Sequence, residues 1–86
     1  MTWHIKWDDR ARKELRSLDH TIQKKILQYV RERSTHNPRD FGRGLVGDKL
    51  GLWRYRVDDY RVICRIEDHR LTVLVLEVGH RKEIYD

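Results

Sequence analysis

The segment GLWRYRVDDYRVICRIE, Gly51 to Glu67, constrains the fold more than any other part of the sequence. On each side of the pair Asp58-Asp59, apolar or aromatic residues alternate with arginines. This pattern is typical of two β-strands joined by a tight turn. A turn at these aspartates places Arg56 directly opposite Arg61 on the neighbouring strand. Like charges in directly opposite positions destabilise a sheet, so this arrangement requires an explanation.

Side chains alternate between the two faces of a strand, so the hairpin has two chemically different faces. One face carries the aromatic and apolar side chains: Trp53, Tyr55, Val57, Tyr60, Val62, Cys64 and Ile66. The other face carries Arg54, Arg56, Arg61, Ile63 and Arg65. A solvated outer face is the ordinary interpretation of such arginines. Four arginines on two adjacent strands favour the alternative, in which a bound anion relieves the repulsion.

The remaining elements follow from the spacing of apolar residues. WHIKW, Trp3 to Trp7, alternates as a short strand, and two amphipathic runs beginning after Asp8-Asp9 and Asp19 predict a helical hairpin. After a glycine-rich loop, strands are predicted over 52–58, 60–67 and 71–79, with Gly79 ending the last one. We therefore expect a single α+β domain spanning residues 1–86. Its order is β-α-α-β-β-β, with the helical hairpin packed on an antiparallel sheet and the arginines on the opposite face.

Charge and composition limit the classes of partner. The net charge is +5 and the sequence pI is about 9.7, a balance that favours nucleic acid or acidic protein partners. No apolar run approaches the length of a membrane span, and the first residues contain no apolar signal core. The single cysteine, Cys64, excludes an internal disulfide and fits the reducing cytosol, so we expect a cytoplasmic protein without membrane contact.

Metal and nucleotide chemistry are poorly supported by the residue spacing, and we expect no metal or other cofactor. The histidines do not pair at ligand spacing, and the acidic pairs fall at predicted turns or caps. The glycine-rich loop does not have the spacing of a phosphate-binding loop, because Lys49 does not directly follow Gly47.

Metal-independent RNA cleavage by the neighbouring 2′-hydroxyl suits the residues that remain. It requires a base, an acid and cations around the phosphate. Arg54, Arg56 and Arg61 would supply fixed positive donors, and Arg65 would extend the phosphate-binding surface. His80 or Tyr85 is the candidate for proton transfer. Arg81 is first a candidate for electrostatic stabilisation and only second a candidate for acid catalysis. Structural interpretations also remain open: a helix-entry residue without chemistry for His80, and a frayed, exposed residue for Tyr85.

The sequence resembles a known family in two segments above all, W-R-Y-R-V-x-D-Y-R-V in the hairpin and G-H-R-K-E-I-Y near the end. It is similar over nearly its whole length to the RelE side of the RelE/ParE toxin superfamily. The resemblance implies a small microbial ribonuclease fold and a toxin of a type II toxin–antitoxin pair. RelE-branch members are ribosome-dependent mRNA endonucleases that cut the codon in the decoding site. The family's functional positions match Arg54, Arg56, Arg61, Arg81 and Tyr85.

The resemblance also implies partners and leaves alternatives. A cognate antitoxin with an acidic or amphipathic segment would cover the basic surface and the helices. The ribosome and mRNA would be the targets, and operator DNA would be contacted only through the antitoxin. One alternative is a ParE-like toxin that inhibits DNA gyrase without nuclease activity, although such members generally lack the set formed by Arg61, Arg81 and Tyr85. Another is an inactive partner that only binds an antitoxin and operator DNA.

Overall fold

The computed structural model of the protein describes residues 2–84. Within them, two helices and five strands follow one another along the chain: β1 (His4–Trp7), α1 (Asp9–Arg16), α2 (His20–Arg33), β2 (Arg43–Gly44), β3 (Trp53–Val57), β4 (Tyr60–Glu67) and β5 (Thr72–His80). Short 3₁₀ turns lie at Gly47–Lys49 and Asp68–Arg70. The predicted order is confirmed, with the two-residue strand β2 as an addition inside the glycine-rich loop.

The two helices begin where the sequence predicts them. The side chain of Asp8 accepts a hydrogen bond from the Arg10 N–H at 3.3 Å, and that of Asp19 accepts one from the Thr21 N–H at 3.1 Å. These contacts satisfy backbone donors that a helix N-terminus leaves without intrahelical partners. The residues that the helices bury are Ala11, Leu15, Ile26 and Val30. Both helices therefore pack on one side of the sheet through a single apolar stripe.

The strands form one sheet in the order β1-β5-β4-β3-β2. Neighbouring strands from β2 to β5 are antiparallel, but β1 lies parallel to β5, with Ile5 opposite Val73. The sheet is thus mixed, and the prediction of a purely antiparallel sheet was wrong in this respect. The direction of β1 depends on how the helical hairpin folds back over the sheet, a long-range property that local periodicity does not encode.

The central hairpin has the predicted register. Arg56 lies opposite Arg61 and Val57 opposite Tyr60, and Asp58 in the turn adopts a left-handed conformation with φ of 53°. Aspartate tolerates this conformation better than most residues and is common in tight hairpin turns. The two arginines therefore stand directly opposite each other on neighbouring strands, as the sequence predicts.

Strand β5 contains an irregularity that the sequence did not predict. Ile63 lies opposite Glu77 and Cys64 opposite Val75, so that Leu76 is an extra residue between two regular stretches of pairing. Val73 and Val75 before the bulge and Val78 after it all face the helices. The strand also continues through Gly79 to His80, so the prediction that Gly79 ends it was wrong.

Helix α1 covers part of the edge of β5. Strand β1 pairs with β5 only as far as Val75. Beyond that point, a carboxylate oxygen of Glu14 accepts a hydrogen bond from the Val78 N–H at 2.9 Å. A side chain from α1 thus satisfies a backbone donor at an edge that would otherwise be open to another strand.

Apolar residues form two clusters on opposite faces of the sheet. The main core lies on the helix-side face and consists of Ala11, Leu15, Ile26, Val30, Tyr55, Val57, Val62, Cys64, Val73, Val75 and Val78. A smaller cluster on the outer face contains Leu45, Ile63 and Ile84, with Leu52 packed against it. The outer face is therefore part apolar and part cationic. No helix in residues 2–84 is long and apolar enough to cross a membrane.

Candidate active site

The arginine pair at the hairpin turn forms the first row of the candidate site on the outer face. Arg56 is exposed, and Arg61 opposite it is half-buried and also lies opposite Gly79 on β5. The Nε and Nη1 atoms of Arg61 are shielded from solvent. A shielded guanidinium acts on a neighbouring anion more strongly than one surrounded by water, because the local dielectric constant is lower.

A second row brings an arginine that was not predicted from the sequence. Arg43 on β2 lies opposite Arg54 on β3, and the row continues through Ile63 to Glu77. Arg54 is half-buried and Arg43 is exposed. A two-residue strand has no detectable periodicity, and the one available signal was a basic residue in the segment GRG.

Arg65 stands in the next row, farther from the hairpin turn. It is exposed and lies opposite Leu74, which in turn pairs with Lys6 on β1. The outer face thus carries cations in three successive rows: Arg56 and Arg61, then Arg43 and Arg54, then Arg65 and Lys6. Such a surface is suited to a polyanion that contacts several phosphates at once.

Glu77 is the carboxylate of the second row, and two cations accompany it. Its oxygens lie 3.0 Å from the Arg10 Nη2 and 3.3 Å from the Lys49 Nζ. Arg10 comes from the first turn of α1 and Lys49 from the 3₁₀ turn in the loop, so Glu77 joins three elements.

The residues after β5 fold back onto the outer face in a tight turn. The His80 carbonyl accepts hydrogen bonds from the N–H groups of Glu83 at 2.8 Å and Ile84 at 3.2 Å. The His80 ring also takes part, since its Nδ1 accepts one from the Lys82 N–H at 3.2 Å. Ile84 is buried in the small apolar cluster beside Ile63. The turn therefore ends on the same face as the arginines.

The His80 side chain itself does not share that face. His80 pairs with Tyr60, and the two rings meet edge to face with centroids 5.4 Å apart. Tyr60 packs against the main core, so the pairing register places His80 on the helix-side face, opposite to Arg61. Among the sequence candidates, His80 is the one that the described structure separates from the arginines of the hairpin.

Arg81 lies beside the hairpin turn and is exposed. Its backbone N–H donates to the Asp59 carbonyl at 2.8 Å, and its Nε lies 3.9 Å from a carboxylate oxygen of Asp59. Exposed ion pairs of this length contribute little stability, so the guanidinium can exchange Asp59 for another anion at small cost. Tyr85, the other C-terminal candidate, lies outside the described residues.

Two other titratable side chains of β3 and β4 belong to the core. Burial raises the pKa of Tyr55 to about 12, and its hydroxyl donates to the Pro38 carbonyl. Burial likewise raises the pKa of the Cys64 thiol far above its usual range. Tyr55 therefore fixes the loop, as does Trp53, whose indole N–H donates to the Phe41 carbonyl at 2.7 Å. In residues 2–84, no group of three or more His, Cys, Asp or Glu side chains could hold a metal ion.

Comparisons with known proteins agree with this architecture. The family model for the ParE toxin of type II toxin–antitoxin systems, parDE, matches residues 5–85. Toxin RelG of Mycobacterium tuberculosis is 28% identical over 85 residues, which cover 99% of this chain and 98% of RelG. The crystal structure of the toxin–antitoxin complex RelBE2 from the same organism matches with a TM-score of 0.88 and 26% identity, over 94% of this chain and 93% of that chain. A mutant of the E. coli toxin RelE in the free state matches with a TM-score of 0.81 and 25% identity, over 96% of this chain and 87% of that chain.

Proposed function

The chain belongs to the ParE toxin family of type II toxin–antitoxin systems and is a RelE-like toxin, and from this we propose that it is a ribosome-dependent mRNA endonuclease. It would cut mRNA in the ribosomal decoding site and thereby inhibit translation. The observation that carries the proposal is that two pairs of arginines stand directly opposite each other on neighbouring strands, Arg56 with Arg61 and Arg43 with Arg54, on one face. Like charges in opposite positions repel each other, and an RNA phosphate bound between two such arginines would attract both of them.

The proposed reaction is cleavage by the 2′-hydroxyl without a metal ion. The 2′-oxygen forms a bond to phosphorus, the bond from phosphorus to the 5′-oxygen breaks, and a 2′,3′-cyclic phosphate remains. Arg54, Arg56 and Arg61 would hold the phosphate and stabilise the negative charge that develops on its oxygens. Arg65 would bind the next stretch of backbone, and the exposed Arg81 would exchange its contact with Asp59 for the substrate.

Two protons must move in this reaction, one from the 2′-hydroxyl and one to the leaving 5′-oxygen. Arginine is a poor participant because it hardly deprotonates, so Tyr85 is our principal candidate for a proton-transfer group. Positive charges near a phenol favour its ionised form and make it a better base. For His80 we propose a contribution through the C-terminal turn, since its Nδ1 accepts the Lys82 N–H.

Mapping of cleavage sites tests the proposal. The purified chain is added to a programmed ribosome–mRNA complex and to naked mRNA, and the new 5′ ends are read by primer extension. We expect cuts only in the presence of ribosomes and in register with codons. Arg61→Ala should abolish them, whereas Lys13→Ala, which removes an exposed cation from α1, should not. Folded protein that arrests growth but cuts neither sample would refute the nuclease proposal.

The description of the matching family model gives reason to keep a second candidate function. That model describes the ParE toxin of parDE systems. A ParE-like toxin would inhibit DNA gyrase without cutting RNA. A gyrase supercoiling assay with the purified chain separates the two functions, because the nuclease proposal predicts no inhibition at concentrations that arrest translation. Inhibition of supercoiling without mRNA cleavage would establish the second candidate.

The helix-side surface supports a proposal for the antitoxin. The solved RelBE2 structure is a toxin–antitoxin complex, and we propose a cognate antitoxin as the partner of this chain. Between α1, α2 and β1 lies an apolar groove lined by Trp7, Leu15 and Leu27 and flanked by Arg12 and Arg16. An acidic amphipathic segment would bury apolar side chains in this groove and pair its carboxylates with the arginines. We assign contact with operator DNA to the antitoxin alone.

A further inference from the structure

The side chain of Trp53 on β3 fastens the loop that carries the short strand β2. Its indole N–H donates to the Phe41 carbonyl at 2.7 Å. In the pairing of β2 with β3, Gly44 stands directly opposite Trp53, and Arg43 stands opposite Arg54. Because β2 has only two residues and lies at the edge of the sheet, few backbone hydrogen bonds can hold it there. The indole therefore adds a side-chain contact at the weakest part of the sheet.

The two glycines that flank Arg43 leave room for the indole ring. A Cβ at Gly42 would stand 2.8 Å from the Trp53 Nε1, and a Cβ at Gly44 would stand 3.5 Å from its Cζ3. The indole thus lies along the backbone of this segment, on the helix-side face where Trp53 packs against the main core. Because side chains alternate along a strand, Arg43 is directed to the other face, which is the face of Arg54.

Gly42 allows the loop to approach β3 more closely than a residue with a side chain would. Its φ of 75° lies in the left-handed region that favours glycine. A Cβ at this position would also stand 2.2 Å from the Arg54 carbonyl oxygen, which belongs to the backbone and has no freedom to move aside. Any larger residue would therefore push the loop off β3 and displace Arg43 with it. The close approach of Gly42 and the hydrogen bond of the indole hold the same loop in the same place.

We propose that Trp53 is a positioning residue, which holds Arg43 beside Arg54 so that both guanidinium groups bind the same RNA phosphate. Residues in directly opposite positions have Cβ atoms about 5 Å apart, a separation at which two arginines can share one phosphate. A loop that is ordered before RNA arrives lowers the entropy cost of binding. The inference rests on the proposed function, in which an RNA phosphate is the ligand of these arginines. Trp53 itself touches no RNA and acts only through Arg43.

The salt dependence of RNA binding tests this role in the full-length chain and does not require the ribosome. The probe is a short, fluorescein-labelled single-stranded RNA with 2′-O-methyl groups, which prevent cleavage, and anisotropy measures its affinity between about 50 and 200 mM salt. Each phosphate contact with a single strand contributes about 0.7 to the slope of log K against log salt concentration. Arg43→Gln should lower this slope by about 0.7. Trp53→Phe keeps an aromatic ring but removes the N–H donor, and it should lower the slope by a similar amount.

A double variant and two single variants make the test specific. In an Arg43→Gln background, Trp53→Phe should cause no further loss of affinity, because the arginine that it positions is already absent. Gly42→Ala should reproduce the loss, since it displaces the same loop while it leaves every core side chain intact, and so it tests the inference independently of any instability of Trp53→Phe. Trp3→Phe is the matched control, because it makes the same change in another tryptophan that packs against the main core, and it should leave the slope unchanged.

The possible outcomes separate this inference from the proposed function. Trp53→Phe and Gly42→Ala variants that bind RNA like the wild type would overturn the inference, as would an equal loss of affinity from Trp53→Phe in both backgrounds. A wild-type chain that binds no RNA would also overturn it, because Arg43 would then have no phosphate to contact. If RNA binding follows the expected pattern but the wild-type chain does not cut ribosome-bound mRNA, the nuclease proposal alone is refuted.

Discussion

At the scale of single residues, the contact of Arg56 with Arg61 places opposite demands on folding and on function. Arg56 is the better residue to change, because it is exposed and Arg61 is half-buried. We expect Arg56→Gln to leave the free energy of unfolding unchanged or to raise it by up to about 0.5 kcal/mol, since it removes a like-charge contact. Cleavage of ribosome-bound mRNA should fall by roughly tenfold or more, because one positive donor is lost.

Urea unfolding and single-turnover cleavage measure the two effects on the same preparation. Lys13→Gln is the matched control, because it removes a cation that is also exposed but lies on α1. It should change neither quantity appreciably. A decrease of more than about 1 kcal/mol in the unfolding free energy of Arg56→Gln would show that this arginine stabilises the fold, against our interpretation.

Tyr55 gives the fold a defined sensitivity to alkaline pH. Burial raises the pKa of its hydroxyl to about 12, from the ordinary value of 10.0. The unfolded chain therefore loses this proton at lower pH than the folded chain. The contribution is fully present below about pH 10 and is lost as the pH rises toward 12. We therefore expect the urea midpoint to decrease as the pH is raised from about 10 to about 12. Tyr55→Phe should be less stable than the wild type at neutral pH, but its urea midpoint should decrease less as the pH rises. An equally steep decrease of the midpoint in Tyr55→Phe would exclude Tyr55 as the cause.

At the scale of elements, local features were predictable from the sequence and long-range ones were not. The hairpin register follows from alternation around Asp58-Asp59, which lie next to each other in the chain, and the structure confirms it. The parallel pairing of β1 with β5 depends on residues that are distant in the sequence. The bulge at Leu76 was hidden because almost every residue of TVLVLEV is apolar, and a shift in register leaves no trace in such a run.

The same distinction explains which parts of the candidate site could be predicted. Arg54, Arg56 and Arg61 follow from the pattern of one hairpin. Arg43 reaches the outer face through a strand of only two residues, which is too short to show alternation. Ile84 is buried because Gly79, five positions earlier, lacks a side chain, and a sequence pattern does not report such a fit.

The edge of β5 provides a test at this scale. If Glu14 on α1 protects the Val78 N–H, then Glu14→Ala should lower the free energy of unfolding by about 1–3 kcal/mol, because a backbone donor loses its acceptor. Glu14→Gln keeps a carbonyl oxygen at the same place and should recover much of the loss. Urea unfolding and amide hydrogen exchange at Val78 measure the effect. Unchanged exchange at Val78 in Glu14→Ala would show that the contact is not formed in solution.

At the scale of the whole molecule, the sheet separates two basic surfaces. The outer face carries the arginines of the hairpin, whereas the groove around Trp7 and Leu27 lies on the helix side with Arg12 and Arg16 at its margin. Both surfaces attract anions, so the net charge of +5 does not distinguish them. They differ in apolar content, because the groove offers an apolar floor for side chains and the arginine rows offer cations for phosphates.

This separation predicts that charge changes on the two faces have different consequences. The double variant Arg12→Glu and Arg16→Glu should weaken binding of the cognate antitoxin by roughly tenfold or more, since two like charges would now face an acidic segment. Its cleavage rate should stay within about twofold of the wild type once ionic strength screens long-range attraction. Arg56→Gln should show the reverse pattern, with slow cleavage and nearly unchanged antitoxin affinity. Calorimetry with the co-expressed antitoxin and single-turnover cleavage at 0.15 M salt measure the two effects. If both variants lost both properties to the same extent, the two faces would form a single site, and the antitoxin would have to compete directly with RNA for the arginine rows.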